Sequence, residues 1–306
     1  MSGAAGLPDP EFQEVADGVF AFVQPDGGWC LNNAGLLVSD GQAALIDTAA
    51  TENRARLLGA AVRSVTETVP RTVVNTHFHG DHSFGNFVFA EDAVIVAHEA
   101  CRNEMAVAGL GLQGLWPEVE WGEVTIALPS LTYRTELTLH VGELTARLSH
   151  PGPAHTVTDT VVWIPERSVL FTGDIVMNGT TPFCLMGSVS GSLRTIERLR
   201  SYGARTVVTG HGPVAGPEVF DTTEAYLRWL RRLAADGVRA GLSPLELARE
   251  ADLGEFAGLL DSERLVANLH RAYAEERGAP PGAELDVAGI FAEMVEHHGA
   301  LPLCRA

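Results

Sequence analysis

Apolar and polar positions alternate along the first two thirds of this chain in short blocks. Runs rich in β-branched and aromatic residues at 19–24, 34–38, 43–47, 71–75 and 93–97 have the length and composition of strands. Between them, 51–66 and 98–108 read as helical stretches, so a mixed α/β layout is expected. Further strand-like runs at 144–148, 160–164, 168–174 and 206–211 end or are separated at glycine-containing turns. Beyond residue 216 the texture becomes helical. The stretch 220–236 places Tyr226, Trp229, Leu230 and Leu233 on one stripe with Arg228, Arg231 and Arg232 on its other faces. Helices are also expected at 244–250, 262–277 and 286–298, separated by Gly254, Gly258 and the breaker Gly278-Ala279-Pro280-Pro281-Gly282. The pattern predicts a core over 1–216 and a helical C-terminal extension over 217–306 packed on it.

One turn in the strand-rich part carries unusual chemistry. Directly after Val73-Val74-Asn75 comes Thr76-His77-Phe78-His79-Gly80-Asp81-His82. Imidazole and carboxylate are ligands of borderline divalent metals, zinc above all. In a tight loop leaving a strand, residues two apart project to one side, so His77 and His79 can share one ion while Asp81 and His82 face a second. Completing such a site needs other segments. His155 sits in the turn Gly152-Pro153-Ala154-His155-Thr156, Asp174 ends a strand at Gly173, and His211 is flanked by Gly210 and Gly212. Glycines at strand ends let the backbone approach closely.

HxHxDH, then a histidine, an aspartate and a histidine in separate segments: this order resembles the metallo-β-lactamase superfamily. The resemblance implies one zinc held by His77, His79 and His155, a second by Asp81, His82 and His211, and Asp174 bridging both. It also implies an αββα sandwich of two mixed sheets with helices outside and the site at one edge. Asp81 and His82, with a hydroxide on the zinc pair, would be the catalytic residues. Asp47, closing the strand at 43–46, is a candidate hydrogen-bond acceptor behind the ligands, and Asp159 a candidate for orienting the loop of His155. His98, at a helix start, is a weaker candidate for the same supporting role.

Composition narrows the setting. The chain has 306 residues, 46% of them hydrophobic, enough for a sizeable core. Its first eleven residues have neither a basic start nor an apolar stretch, and no run reaches the length of a membrane span, so a cytoplasmic protein with no membrane contact is expected. Cys30, Cys101, Cys184 and Cys304 stand singly, which indicates neither a disulfide framework nor a thiolate metal site. The net charge is −18, and all 21 basic residues are arginine. Without lysine, Schiff-base chemistry is excluded, and so acidic a chain is a poor nucleic-acid binder.

Two zinc ions lower the pKa of a bound water from 15.7 to about 7 and polarise carbonyls. Hydrolysis of esters, thioesters, amides or lactones would use the first property, and aldol condensation through an enolate the second. Ligand types alone leave both open. Outside the metal motifs, Gly27-Gly28-Trp29-Cys30, Gly114-Leu115-Trp116-Pro117, Trp121-Gly122-Glu123, Thr181-Pro182-Phe183, 210–218 and 259–271 resemble the metallo-β-lactamase-fold second-ring cyclases of aromatic (type II) polyketide pathways, of the bifunctional cyclase/thioesterase type found in actinorhodin biosynthesis. That resemblance implies a poly-β-ketone tethered to an acyl carrier protein, closed into its second ring and then released by thioester hydrolysis. Trp29, Trp116, Trp121 and Phe183 are candidate walls for its flat body. Arg228, Arg231 and Arg232 are a candidate docking patch for the acidic carrier. A glyoxalase II-like thioesterase or a lactonase would share all seven ligands, and a homo-oligomeric assembly is left open.

Overall fold

The structure, a computed structural model, describes residues 9–306. Residues 1–8, which hold most of the stretch read above as lacking a leader, lie outside the described residues. Seven strands form one sheet in the order β1 (Glu11–Ala16), β2 (Val19–Val23), β3 (Ala34–Ser39), β4 (Gln42–Ile46), β5 (Thr72–Val74), β6 (Val94–His98) and β7 (Leu131–Tyr133). Its first four strands pair antiparallel, and β4 to β7 run parallel. The second sheet comprises β8 (Glu136–Val141), β9 (Leu144–Ser149), β10 (Val161–Ile164), β11 (Val169–Gly173) and β12 (Thr206–Thr209). Only its last pair, β11 with β12, is parallel.

The central strands are buried on both faces, and their alternation divides the core into layers. Leu37, Ala44, Ile46, Val74 and Val96 meet Val162, Ile164, Val169, Phe171 and Val208 between the sheets. Their neighbours Leu36, Leu45, Val73 and Ile95 face outward against Leu58 and Val62 of α1 (Glu52–Val65). The short α2 (Gly80–Ser83) follows β5, and α3 (Glu99–Ala108) packs Cys101 and Met105 against Ala97 of β6. On the outer face of the second sheet, Val161, Trp163, Leu170 and Val207 pack with α4 (Val189–Arg200), α5 (Val219–Ala240), α6 (Pro244–Glu250), α7 (Arg264–Glu276) and α8 (Val287–His298). Helices therefore cover both sheets, as an αββα sandwich requires. The C-terminal helices share one continuous apolar cluster with β10, β11 and β12.

Most expected elements fall within two residues of their places. The pattern missed α4, whose sequence VSGSLRTIERLR is poor in strong apolar residues yet buries Val189, Ile196 and Leu199. It also missed β1, β7 and β8, which are edge or short strands with exposed positions. The four cysteines are free and buried. Among the described residues no helix is long and apolar enough to cross a membrane.

Candidate dinuclear metal centre

All seven expected ligands meet at one end of the sandwich, on the loops that follow β5, β9, β11 and β12. The loop after β5 is held by buried polar groups. Asp47, just past β4, takes a left-handed backbone (φ 59°), a conformation aspartate tolerates better than most residues. Its carboxylate accepts the Thr76 amide at 2.7 Å, the Thr76 hydroxyl at 2.6 Å and His82 Nδ1–H at 2.8 Å. Asn75 and Asn86 bond each other, and Asn75 also donates to the His82 carbonyl. Asp159 accepts the Thr156 amide and hydroxyl beside His155. Both supporting aspartates are where the sequence put them.

Each histidine but one has its second nitrogen tied. His77 Nδ1 contacts the Thr76 hydroxyl at 3.1 Å, His155 Nδ1 donates to the Phe183 carbonyl at 2.6 Å, and His211 Nδ1 to the Gly27 carbonyl at 3.0 Å. These bonds fix the rings so that Nε2 is the free atom. His77 Nε2 and His155 Nε2 converge on His79 Nδ1 at 3.1 and 3.0 Å. Asp174 lies between the two groups. One oxygen is 3.0 Å from His82 Nε2, and the other is 3.4 Å from His211, 3.5 Å from His155 and 3.8 Å from His77. Asp81 is 3.3 Å from His211 and 3.8 Å from His82. Gly210 is required here, because a side chain at that position would collide with the Asp174 carboxylate.

The electrostatics of the two groups differ. Burial, reinforced by neighbouring imidazoles, pushes His77 well below its ordinary pKa and His79 to about 3, and His155 is lowered for the same first reason. Lone pairs of neutral imidazoles thus face one another. Burial opposes charge on His82 and His211 too, but Asp174 and Asp81 outweigh it, raising His82 well above its usual value and His211 to about 9. Burial also works against the Asp81 and Asp174 charges, yet His82 and its neighbours hold Asp81 near 2 and Asp174 well below the carboxylate range.

Such a donor set fits two metal ions. His82 Nε2 and Asp174 Oδ1 are buried and face each other with no hydrogen bond made, a costly arrangement unless a cation lies between. His77, His79, His155 and Asp174 form one candidate group, and Asp81, His82 and His211 the other.

A cavity of about 390 Å³ opens on these ligands, in the size range of small-molecule sites. Trp29, Trp116 and Phe183 line it as expected. Trp121 does not: its indole lies against Phe84, with centroids 6.1 Å apart, and donates to the Trp116 carbonyl, so it backs the wall from behind. His98 does not line it either, but lies behind the His155 loop. It stacks on His150 at 4.0 Å and bonds the Arg134 carbonyl. Sequence reading missed Phe78, Phe84, Met177, Arg264 and Phe291 of the lining. Arg228 pairs with Glu224 at 2.6 Å, Arg231 shares a surface groove with Glu275 and Glu276, and none of the three arginines lines the cavity.

Sandwich, edge position and donor set together define a scaffold with a candidate site for two metal ions. Consistent with this, the family model of the metallo-β-lactamase superfamily matches residues 27–211, more than half of the chain, and the chain belongs to that superfamily, whose members are typically metal-dependent hydrolases. A type 2 metallo-β-lactamase of Bacteroides fragilis is 22% identical over 227 residues, 71% of this chain and 84% of that protein. A linear primary-alkylsulfatase of a Pseudomonas species is 23% identical over 252 residues, 68% of this chain and 48% of that longer protein. Among solved structures, TMB-1 superposes with a TM-score of 0.58 at 22% identity, covering 73% of this chain and 99% of its own, a likeness of fold.

Proposed function

We propose that this chain is a dinuclear zinc enzyme of aromatic polyketide assembly, closing the second ring of a carrier-bound poly-β-ketone by aldol condensation and dehydration, then hydrolysing the thioester to release the product. The relatives named above act on other substrates, so the reading rests on the cavity: an aromatic cage whose floor is the ligand set. Trp29, Trp116 and Phe291 pack edge to face or tilted with centroids 5.5 to 6.4 Å apart, and Phe183 joins Trp29 to His155. Such walls suit a flat, apolar-bodied acyl group better than a polar one.

Two zinc ions on the seven ligands would supply Lewis acidity toward a carbonyl and an activated water. The chain's own residues do the rest. The cage excludes water and holds the acyl chain folded, which makes ring closure effectively unimolecular and supplies about 7–11 kcal/mol when the geometry is right. A 1,3-dicarbonyl has acidic flanking protons, and charge developing on its oxygens meets a site built to hold cations. Asp81, the more open of the two carboxylates at 11% side-chain exposure, lines the cavity and stays ionised, a weak base suited to accepting a hydrogen bond from water and orienting it. His82 is held by Asp47 on the far side of its ring.

The test is incubation of metal-loaded protein with a first-ring polyketide thioester, carrier-bound or as a small mimic, following ring formation and thiol release together. Both should occur, and His82→Ala should abolish both. Ring closure surviving that change would confine the metal motif to hydrolysis. Turnover of glutathione thioesters or lactones with none of the polyketide would instead place the chain with glyoxalase II-like thioesterases or lactonases.

A further inference from the structure

Helix α7 turns a polar face to the interior. Arg264, Asn268 and Arg271, at positions i, i+4 and i+7, are each at most 2% exposed. Burying two arginines and an amide is expensive, and α5 covers the same sheet with Tyr226, Leu227, Leu230 and Ala234 instead. The polar face grips one segment. Arg264 Nη1 donates to the Thr181 carbonyl at 3.1 Å, and Arg271 donates from Nε and Nη2 to the Leu185 carbonyl at 3.0 and 2.6 Å. Asn268 donates to the Pro182 carbonyl at 2.7 Å and accepts the Cys184 amide at 2.9 Å. Every residue of 181–185 except Phe183 is thus bonded to α7. Phe183 is left to point its ring into the cavity while its carbonyl holds His155.

The start of the same helix fixes the other wall. Glu263, 3% exposed, accepts the Trp29 indole N–H at 2.6 Å, and the Arg264 guanidinium lies 4.1 Å over the indole ring. Asp261, 2.8 Å away, and the Thr181 carbonyl keep that guanidinium in place. Trp29 and Phe183 consequently stand 5.5 Å apart at 78°, two planes set by adjacent turns of one helix. Arg264 is the only arginine in the cavity lining, so positive charge backs the indole the substrate would meet.

We infer that Glu263, Arg264 and Asn268 are positioning residues which hold Trp29 and Phe183 as a rigid two-plane seat, and that this seat selects acyl groups with a planar, electron-rich ring body over flexible alkyl chains of similar size. The inference rests on the acyl-group reading above and adds to it the residues that set selectivity. A carboxyl acceptor on the indole N–H and a guanidinium on its face are stronger restraints than apolar packing, because both fix orientation.

The experiment uses full-length, metal-loaded protein and two thioesters of N-acetylcysteamine, one carrying 2-naphthoate and one decanoate. A parallel calorimetric titration measures affinity for 1,3-dihydroxynaphthalene. The natural sequence should prefer the naphthoyl substrate about tenfold or more in kcat/KM. Glu263→Leu should erase most of that preference through KM and weaken dihydroxynaphthalene binding in proportion. Glu263→Gln, which keeps an acceptor for the indole N–H, should restore both. In a Trp29→Phe background Glu263→Leu should have no further effect, since the group it acts through has lost its N–H. An undiminished preference in Glu263→Leu, or an equal loss in the Trp29→Phe background, would overturn the proposal. Should Glu263→Leu fail to fold, Trp29→Phe alone removes the same hydrogen bond while keeping an aromatic face, and unchanged selectivity there would be equally fatal. Absence of any thioester turnover would refute the acyl reading, and the dihydroxynaphthalene affinities would still decide the seat.

Discussion

Seven polar side chains form the candidate metal-binding edge, four of them from the six-residue stretch 77–82, and each of the other three lies in a strand-end loop within two residues of a glycine or proline. The apolar wall of the same cavity draws on Trp29, Phe84, Trp116, Phe183, Arg264 and Phe291, from six distant parts of the chain. The edge is braced by polar bonds from Asp47, Thr76, Asn75 and Asp159, together with the Phe183 and Gly27 carbonyls on His155 and His211, whereas the wall is apolar and depends on α7 and α8 docking across the second sheet. Even the chain end contributes: the Trp116 indole donates to the Pro302 carbonyl at 2.6 Å. The difference separates two tasks. On the proposed reading, reaction type belongs to the ligand set and substrate choice to the apolar wall that tertiary packing assembles over it.

If that separation holds, damage to the edge should destroy metal binding and leave the wall standing. The largest effect is expected for Asp174→Asn, because Asp174 faces both groups of histidines. Metal content measured by elemental analysis should fall from two ions toward one or none, and hydrolysis by about a thousandfold or more. Dihydroxynaphthalene affinity should change little, and its loss alongside the metal would show that wall and edge are not independent. A step further back, Asp47→Asn weakens the support of His82 and Thr76 without touching a substrate. Supporting residues of this kind are worth about 10–100-fold in metal affinity, to be read by chelator competition.

The same contrast explains what was legible in the sequence. Histidines and aspartates at strand ends stand out because burying them without a cation is costly, so their pattern has one dominant physical reading. Asp47 and Asp159 followed from lying at the close of a strand and within the turn that bears His155. The wall offers no such signal. Trp121 looks as good a lining residue as Trp116, five positions away, and only the folded chain shows that one faces the cavity and the other its back. Arg264, Asn268 and Arg271 have no role evident from the sequence, and α7 docked inward shows theirs. Their period of i, i+4, i+7 on a helix that also carries Leu265, Leu269 and Ala272 was the available clue.

On the wall side, Phe291→Ala removes the α8 ring that packs 5.8 Å from Trp116 and 6.4 Å from Trp29. KM for a large planar thioester should rise about 3–10-fold, the loss of one or two aromatic contacts, while bound metal stays at the level of the natural sequence. Metal lost together with affinity would mean that α8 supports the edge as well.

The smallest effect distinguishes the regions by their response to acid. Behind the His155 loop, His98 and His150 stack at 4.0 Å, and His150 Nδ1 donates to the Asp159 carbonyl at 2.7 Å. Burial first, and for His98 the neighbouring His150, lowers both below the ordinary histidine value. A histidine with a lowered folded pKa binds fewer protons folded than unfolded, so it favours unfolding as pH falls below the unfolded value near 6.5. Stability contributed by this stack is therefore fully present above about pH 6.5 and is lost progressively below it. His98→Phe keeps an aromatic partner for His150 and removes one titrating group, so melting temperature measured between pH 5 and pH 8 should fall less steeply toward acid than in the natural sequence. An unchanged slope would assign the acid sensitivity of the His155 loop to groups other than this pair, and with it the claim that the edge is braced by polar contacts would lose one of its supports.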